Sequence, residues 1–188
     1  MHALERAMTR THPLTLKVLH WLTALFLIIL IALGVWMTER AAANLWDALT
    51  NTLYGWHKLI GFLVLLLTVV RIMVKLRSSP PAYPASVTPA TVKLAAAGHR
   101  ALYLLLLVVP LLGWAGVTAF PALITLGGFH LPAMPGIPKD QALAKQLFEI
   151  HGNLALVLAI LALGHVTAGL HHLIVKKDSV FQRIWFRP

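Results

Sequence analysis

The sequence predicts an all-α integral membrane protein, a four-helix bundle. Three observations carry this. Of the 188 residues, 59% are hydrophobic and 12% are charged, too apolar for an ordinary soluble domain. Four long apolar segments are visible, at about residues 14–38, 52–74, 94–120 and 146–175. Each matches or exceeds the roughly 20 residues that a helix needs to cross a bilayer. Pro-rich stretches, "SSPPAYPASVTP" at 78–89 and "FHLPAMPGIPKD" at 129–140, separate the last three segments as loops. The whole chain, 1–188, is expected to be one transmembrane domain. The first segment is too long for a signal-peptide core and is expected to be retained.

Charge orients the bundle. One side collects Arg6, Arg10, Lys17, Arg71, Lys75, Arg77, Lys93, Arg100, Lys176, Lys177, Arg183 and Arg187. The other receives Arg40, Lys58, Lys139 and Lys145. The positive-inside rule therefore puts both termini of this multi-pass chain in the cytoplasm. The formal net charge of +10 is then a topology signal with anionic lipid as its partner. No nucleic-acid-binding motif accompanies it. The absence of cysteine excludes disulfides, cysteine-ligated iron–sulfur clusters and covalently attached c-type haem.

The fourth segment poses the functional question. Between Ile150 and Val175 it has no Asp, Glu, Lys or Arg, yet it holds His151, His165, His171 and His172. Ionisable residues inside a membrane are costly and mark function. His151 and His165 are 14 residues apart. On a helix this is about 21 Å of rise and a difference of about 40° in direction. One helix thus presents two imidazoles on one face at two depths. The first segment offers His20 near its cytoplasmic end, and the second offers His57 near its outer end. Depth pairs His57 with His151 and His20 with His165. Two stacked pairs suit two b-type haems, each iron taking one imidazole from each side. Two axial imidazoles leave no open position, which favours electron transfer over oxygen binding. Four residues after each of these histidines stands a small one, Ala24, Gly61, Ala155 or Gly169, on the same helix face. Such residues give a flat ring room, and they also serve ordinary helix packing.

The same residues resemble a known family. "HW" at 20–21, "HKLIG" at 57–61, "VVRIMVKL" at 69–76, "GHRALYLLL" at 98–106, "IHGNLA" at 150–155 and "KDSVFQRIW" at 177–185 occur in this order. Together they are similar to bacterial cytochrome b561, related to the cytochrome b subunits of nickel hydrogenases, over nearly the whole chain. The resemblance implies four helices, two haems and the same four axial histidines. One departure concerns the fourth segment. The family often has adjacent histidines seven and eight residues after the inner ligand. Here His172 fits the first, Leu173 replaces the second, and His171 lies one residue early.

Other residues are assigned around this frame. His172 is seven residues from His165 and faces the same way, one level nearer the cytoplasm. His172 and His99, near the start of the third segment, are candidates to bound a quinone site beside the inner haem. Their alternative is an interfacial role, which is preferred for His171. His2, His12 and His130 receive none. Haem propionates are anionic. Lys17 and Arg71 are candidate partners at the inner haem and Lys58 at the outer, with snorkelling to headgroups as the alternative. The six tryptophans are read mostly as an aromatic belt.

The function expected is that of a quinone-linked oxidoreductase, passing single electrons between a small outer-side donor and membrane quinone. The resemblance suggests superoxide as donor and ubiquinone as acceptor. The alternative is a haem-containing anchor and electron conduit for a partner redox subunit, such as a hydrogenase. A haem-free transporter using intramembrane histidines is a third class. No Ser-His-Asp set, phosphate loop or carboxylate pair supports hydrolysis or phosphoryl transfer.

Overall fold

The computed structural model describes residues 11–79, 81–84 and 86–186. Arg6, Arg10 and Arg187 of the charge analysis, and His2, lie outside the described residues. Four helices run α1 (Leu14–Ala42), α2 (Ala48–Leu76), α3 (Pro89–Ala119) and α4 (Gln141–His171). Each is long and apolar enough to cross a membrane. Among the described residues there is no strand; Ile124 and His130 form a single antiparallel bridge. Their exposed faces carry large apolar side chains such as Ile28, 66% exposed, and Leu163, 68% exposed. In water such a surface would be unfavourable. In lipid it is the ordinary exterior of a bundle.

α1 begins where its apolar run does, after Pro13, whereas α2, α3 and α4 begin earlier than theirs because polar caps start them. Asp47 accepts the Thr50 N–H to open α2, and Arg40 holds the same carboxylate at 2.5 Å. Thr88 accepts from Thr91 N–H, with Pro89 in the first turn of α3. Asp140 accepts from the N–H groups of Ala142 and Leu143 to open α4. Beyond His171, α4 loosens into a π-helical turn, His172–Lys176, and Lys177 takes the left-handed conformation at φ 51°. The chain there turns back across the bundle end as a short strap containing a 3₁₀ turn, Phe181–Arg183.

Close backbone packing runs α1–α2, α2–α3 and α3–α4. α4 does not pack closely on α1 or α2. A midplane core of Ile60, Val64, Leu105, Leu106, Val109 and Leu158 fills the centre, with α1 residues such as Phe26 and Leu30 against it. Where α3 meets α4 near the outer end, the Phe148 ring lies on Gly116. A Cβ there would sit 2.5 Å from that ring. Gly116→Ala must therefore displace an aromatic side chain. The expected cost is about 1–3 kcal/mol of stability, measured as loss of unfolding free energy in detergent. Gly98→Ala, where a Cβ meets nothing within 4 Å, is the control expected to be neutral or better.

Candidate functional site: two histidine levels

Two pairs of rings bridge the gap between α4 and the α1–α2 hairpin. His57 of α2 and His151 of α4 lie with centroids 6.0 Å apart and ring planes 79° to each other. His20 of α1 and His165 of α4 lie 6.1 Å apart at 80°. His99 of α3 also packs on His165, at 5.2 Å. These separations can be compared with the span of a shared metal ion. Two metal–nitrogen bonds of about 2 Å plus about 1.1 Å from each nitrogen to its ring centre give roughly 6.2 Å. The two depth-matched pairs meet that span and the His99–His165 pair is too close for it. Among the described residues no cluster of three or more His, Cys, Asp or Glu could hold a metal. A metal held by two imidazoles draws its remaining ligands from elsewhere, and a haem macrocycle supplies them.

Hydrogen bonds indicate which ring nitrogen is free. The Val109 carbonyl can only accept, so His151 donates to it from Nδ1, at 2.9 Å. That leaves the Nε2 lone pair available, the arrangement usual for a metal-binding histidine. His57 Nδ1 is enclosed and has no partner. His20 differs: Arg71 donates to its Nδ1 at 2.9 Å. A neutral His20 then carries its proton on Nε2, so Arg71 must withdraw before Nε2 can hold a metal. The outer pair fits a haem as it stands, and the inner pair fits once Arg71 finds another acceptor.

Glycines that the sequence reading did not select make room beside the rings. A Cβ at Gly34 would lie 3.5 Å from the His57 ring, and one at Gly113 would lie 3.1 Å from His151. Gly34 follows His20 by 14 residues, and Gly113 follows His99 by 14. This is the same interval that separates His151 from His165, so a search at that spacing would have found them. Of the small residues four positions after each ligand, Gly61 lies near Leu30, Gly169 lies near Phe181 and Ala155 packs into the core. Gly61 also lines a cavity of 1160 Å³ at the outer level, beside His57, His151, Lys58, Gly113 and Trp114. Ligand cavities of cofactor size commonly occupy about 300–1000 Å³.

The remaining candidates are placed as follows. Lys58 donates to the carbonyls of Ala122 and Ile124, in a loop that roofs the outer cavity. Lys17 is buried and donates to the Thr11 hydroxyl. Arg71 also lies over the Tyr103 ring at 5.2 Å. His172 Nδ1 pairs with the Asp178 carboxylate at 2.7 Å, both groups largely enclosed. His171 packs on the His172 ring, and both line a shallow groove along α4. His99 and His172 thus have separate neighbours. Trp21 and Trp185 pack on each other at 5.4 Å, and Trp21 donates to the Ile184 carbonyl. They fasten the strap, a role that the aromatic-belt reading did not foresee.

The family described as prokaryotic cytochrome b561 matches residues 11–187 of this chain. The chain is also similar to a protein named cytochrome b561 homolog 2 from Escherichia coli (strain K12). The two are 32% identical over 166 residues, covering 88% of this chain and 86% of that protein.

Bulk at Gly113 would fill the space beside His151. Gly113→Leu is expected to lower haem content by about one per chain while leaving the protein helical. Pyridine haemochrome and far-ultraviolet circular dichroism measure the two. Haem content equal to wild type in that variant would show that the glycine cradle is unrelated to the cofactor.

Proposed function

The chain belongs to the prokaryotic cytochrome b561 family, and on that premise we propose that it is a di-haem, quinone-linked oxidoreductase of the bacterial inner membrane. As a family member it is a membrane electron-transfer protein, and the family implies b-type haem. The observation that supports two haems is the pair of histidine bridges, 6.0 and 6.1 Å between ring centres, each joining α4 to the α1–α2 hairpin.

In this reading His57 and His151 hold the outer haem, and His20 and His165 hold the inner one. A haem held by these residues would supply a reversible one-electron iron couple. The protein's own residues orient and insulate it. His151 is fixed by Val109, the midplane core keeps water from between the levels, and Gly34 and Gly113 leave room beside the rings. Lys17 and Arg71 are the propionate partners at the inner level; Lys58 serves at the outer one only by leaving the Ala122 and Ile124 carbonyls.

Topology follows from the chain ends. His12 N–H donates to the Arg183 carbonyl, so the first and last described segments meet at one end of the bundle. With most Lys and Arg at that end, both termini are cytoplasmic. The outer end carries a small donor, for which superoxide has the right size. Steering there is weak, because Arg40 is paired with Asp47, Lys145 lies 3.9 Å from Glu149, and Lys58 is turned to backbone carbonyls. Donor recognition therefore rests on short-range contact. Ubiquinone takes electrons at the inner level, bounded by His99 on one side and His172 on another. The Asp178 carboxylate fixes the His172 ring, so its Nε2 is the nitrogen left to meet a quinone oxygen.

Haem content tests the assignment. Two b haems per chain are expected. Single His→Ala changes at positions 20, 57, 151 or 165 should each leave one. The double change at 57 and 151 should also leave one, and the double change at 20 and 57 should leave none. One haem per wild-type chain would sink the scheme.

Quinone chemistry is tested separately by stopped-flow absorption. His172→Ala and His99→Ala should accept electrons from the donor at the wild-type rate. Reoxidation by a short-chain ubiquinone should slow by about tenfold or more. Unchanged reoxidation in both variants moves the quinone site elsewhere.

A further inference from the structure

Among the described residues, the inner end of the bundle holds enclosed positive charge without a matching acid. Lys17 is 6% exposed, and its ammonium donates to the Thr11 hydroxyl at 3.0 Å. Arg71 donates to the neutral His20 ring, while its enclosed Nε has no partner. Arg183, on the strap, donates to the Pro81 carbonyl and lies 4.1 Å over the Tyr83 ring. Its Nε is enclosed and unpartnered too. His12 sits among these groups. Burial, with Arg183, Arg71, Lys75 and Lys17 nearby, pushes its pKa down to about 4. Of the described acids, Glu39, Asp47, Asp140 and Glu149 belong to the opposite half of the bundle, and Asp178 is committed to His172. Charges enclosed without a counter-ion are strongly unfavourable, and two guanidinium forks beside an ammonium are built to bind planar anions.

We propose that Lys17, Arg71 and Arg183 form a carboxylate pocket for the two propionates of the inner haem, closed by the C-terminal strap, and that filling it draws Arg71 off His20. The proposal rests on the two-haem reading. It adds the strap to the site and gives Arg71 two alternative acceptors. With Arg71 on a carboxylate, His20 Nδ1 can carry the ring proton and Nε2 is freed for iron. The ring proton moves from Nε2 to Nδ1, so His20 stays neutral. The same chemistry could be met by the phosphate of an anionic lipid headgroup, so the test must separate the two sources.

The test uses the full-length chain, prepared haem-free in phosphatidylcholine nanodiscs. It is reconstituted with haem or with haem dimethyl ester, whose propionates are uncharged. Two readouts are taken: haem per chain by absorption, and chymotrypsin cutting of the strap at Phe181 and Trp185 by mass spectrometry. Haem should bind at two per chain and slow strap cutting at least tenfold. The ester should bind at one per chain and leave the strap as cleavable as in the haem-free protein. Arg183→Gln and Arg71→Gln, loaded with haem, should each lose at least half of that protection, with the outer haem retained. Two esters per chain with full protection would leave the two-haem reading standing and overturn the pocket. One haem per chain with native haem would defeat the two-haem reading itself, and the pocket with it. Protection of the haem-free chain by phosphatidylglycerol nanodiscs would assign the pocket to lipid phosphate and overturn the haem assignment.

Discussion

The arrangement depends on one helix carrying two imidazoles on a single face, a half-membrane apart. His151 and His165 fix two depths along α4, and every partner ring must come to one of them. α4 packs on α3 but stands off α1 and α2. The histidines are what reach across. A helix held away from its neighbours would ordinarily collapse onto them, since apolar packing in lipid rewards close approach. The gap persists at the two levels where the rings meet, with Gly34 and Gly113 beside the outer pair, and the midplane core closes it between. Histidine spacing and bundle packing are therefore one constraint.

The two levels are built differently. The outer level is preorganised: His151 is tied to the Val109 carbonyl, Gly113 lies against the ring, and a roofed cavity adjoins it. The inner level is crowded. His165 has His20 on one side and His99 on another, and Arg71 occupies the nitrogen opposite the one a metal needs. The outer site is covered by a loop held through Lys58, and the inner one by the strap held through Arg183 and Trp21. This asymmetry suits the proposed function, in which the two ends meet different partners.

Much of this was legible in the sequence. The apolar runs marked four helices, since a bilayer demands long uncharged segments whatever their packing. Depth alone paired His57 with His151 and His20 with His165, because helical rise converts residue number into height. What stayed hidden depends on direction and on distant backbone. The Val109 carbonyl that orients His151, and the Ala122 and Ile124 carbonyls that hold Lys58, belong to groups every residue has, so composition cannot flag them. The strap was missed because nothing local in "KDSVFQRIW" says that the chain turns back. That turn is made by the π-helical turn after His171 and by Lys177 at φ 51°. Gly34 and Gly113 were within reach. They repeat the 14-residue interval on α1 and α3, and only the search for small residues four positions away passed over them.

The contrast between His151 and His20 shows how backbone and side-chain partners differ in kind. A helix carbonyl such as that of Val109 cannot move away, so it fixes one tautomer of His151 permanently. A guanidinium on a long side chain can choose among acceptors, so Arg71 fixes a tautomer of His20 only while nothing more negative is near. A carboxylate offers a guanidinium full charge–charge attraction and two acceptor oxygens, where a neutral ring nitrogen offers one lone pair. On the proposed switch, an anion at the inner level takes Arg71 from the ring and leaves His20 free to carry its proton on Nδ1. The outer level needs no such exchange. The difference between the two histidine pairs is thus a difference in what a ligand must displace, and it originates in which atom each Nδ1 meets.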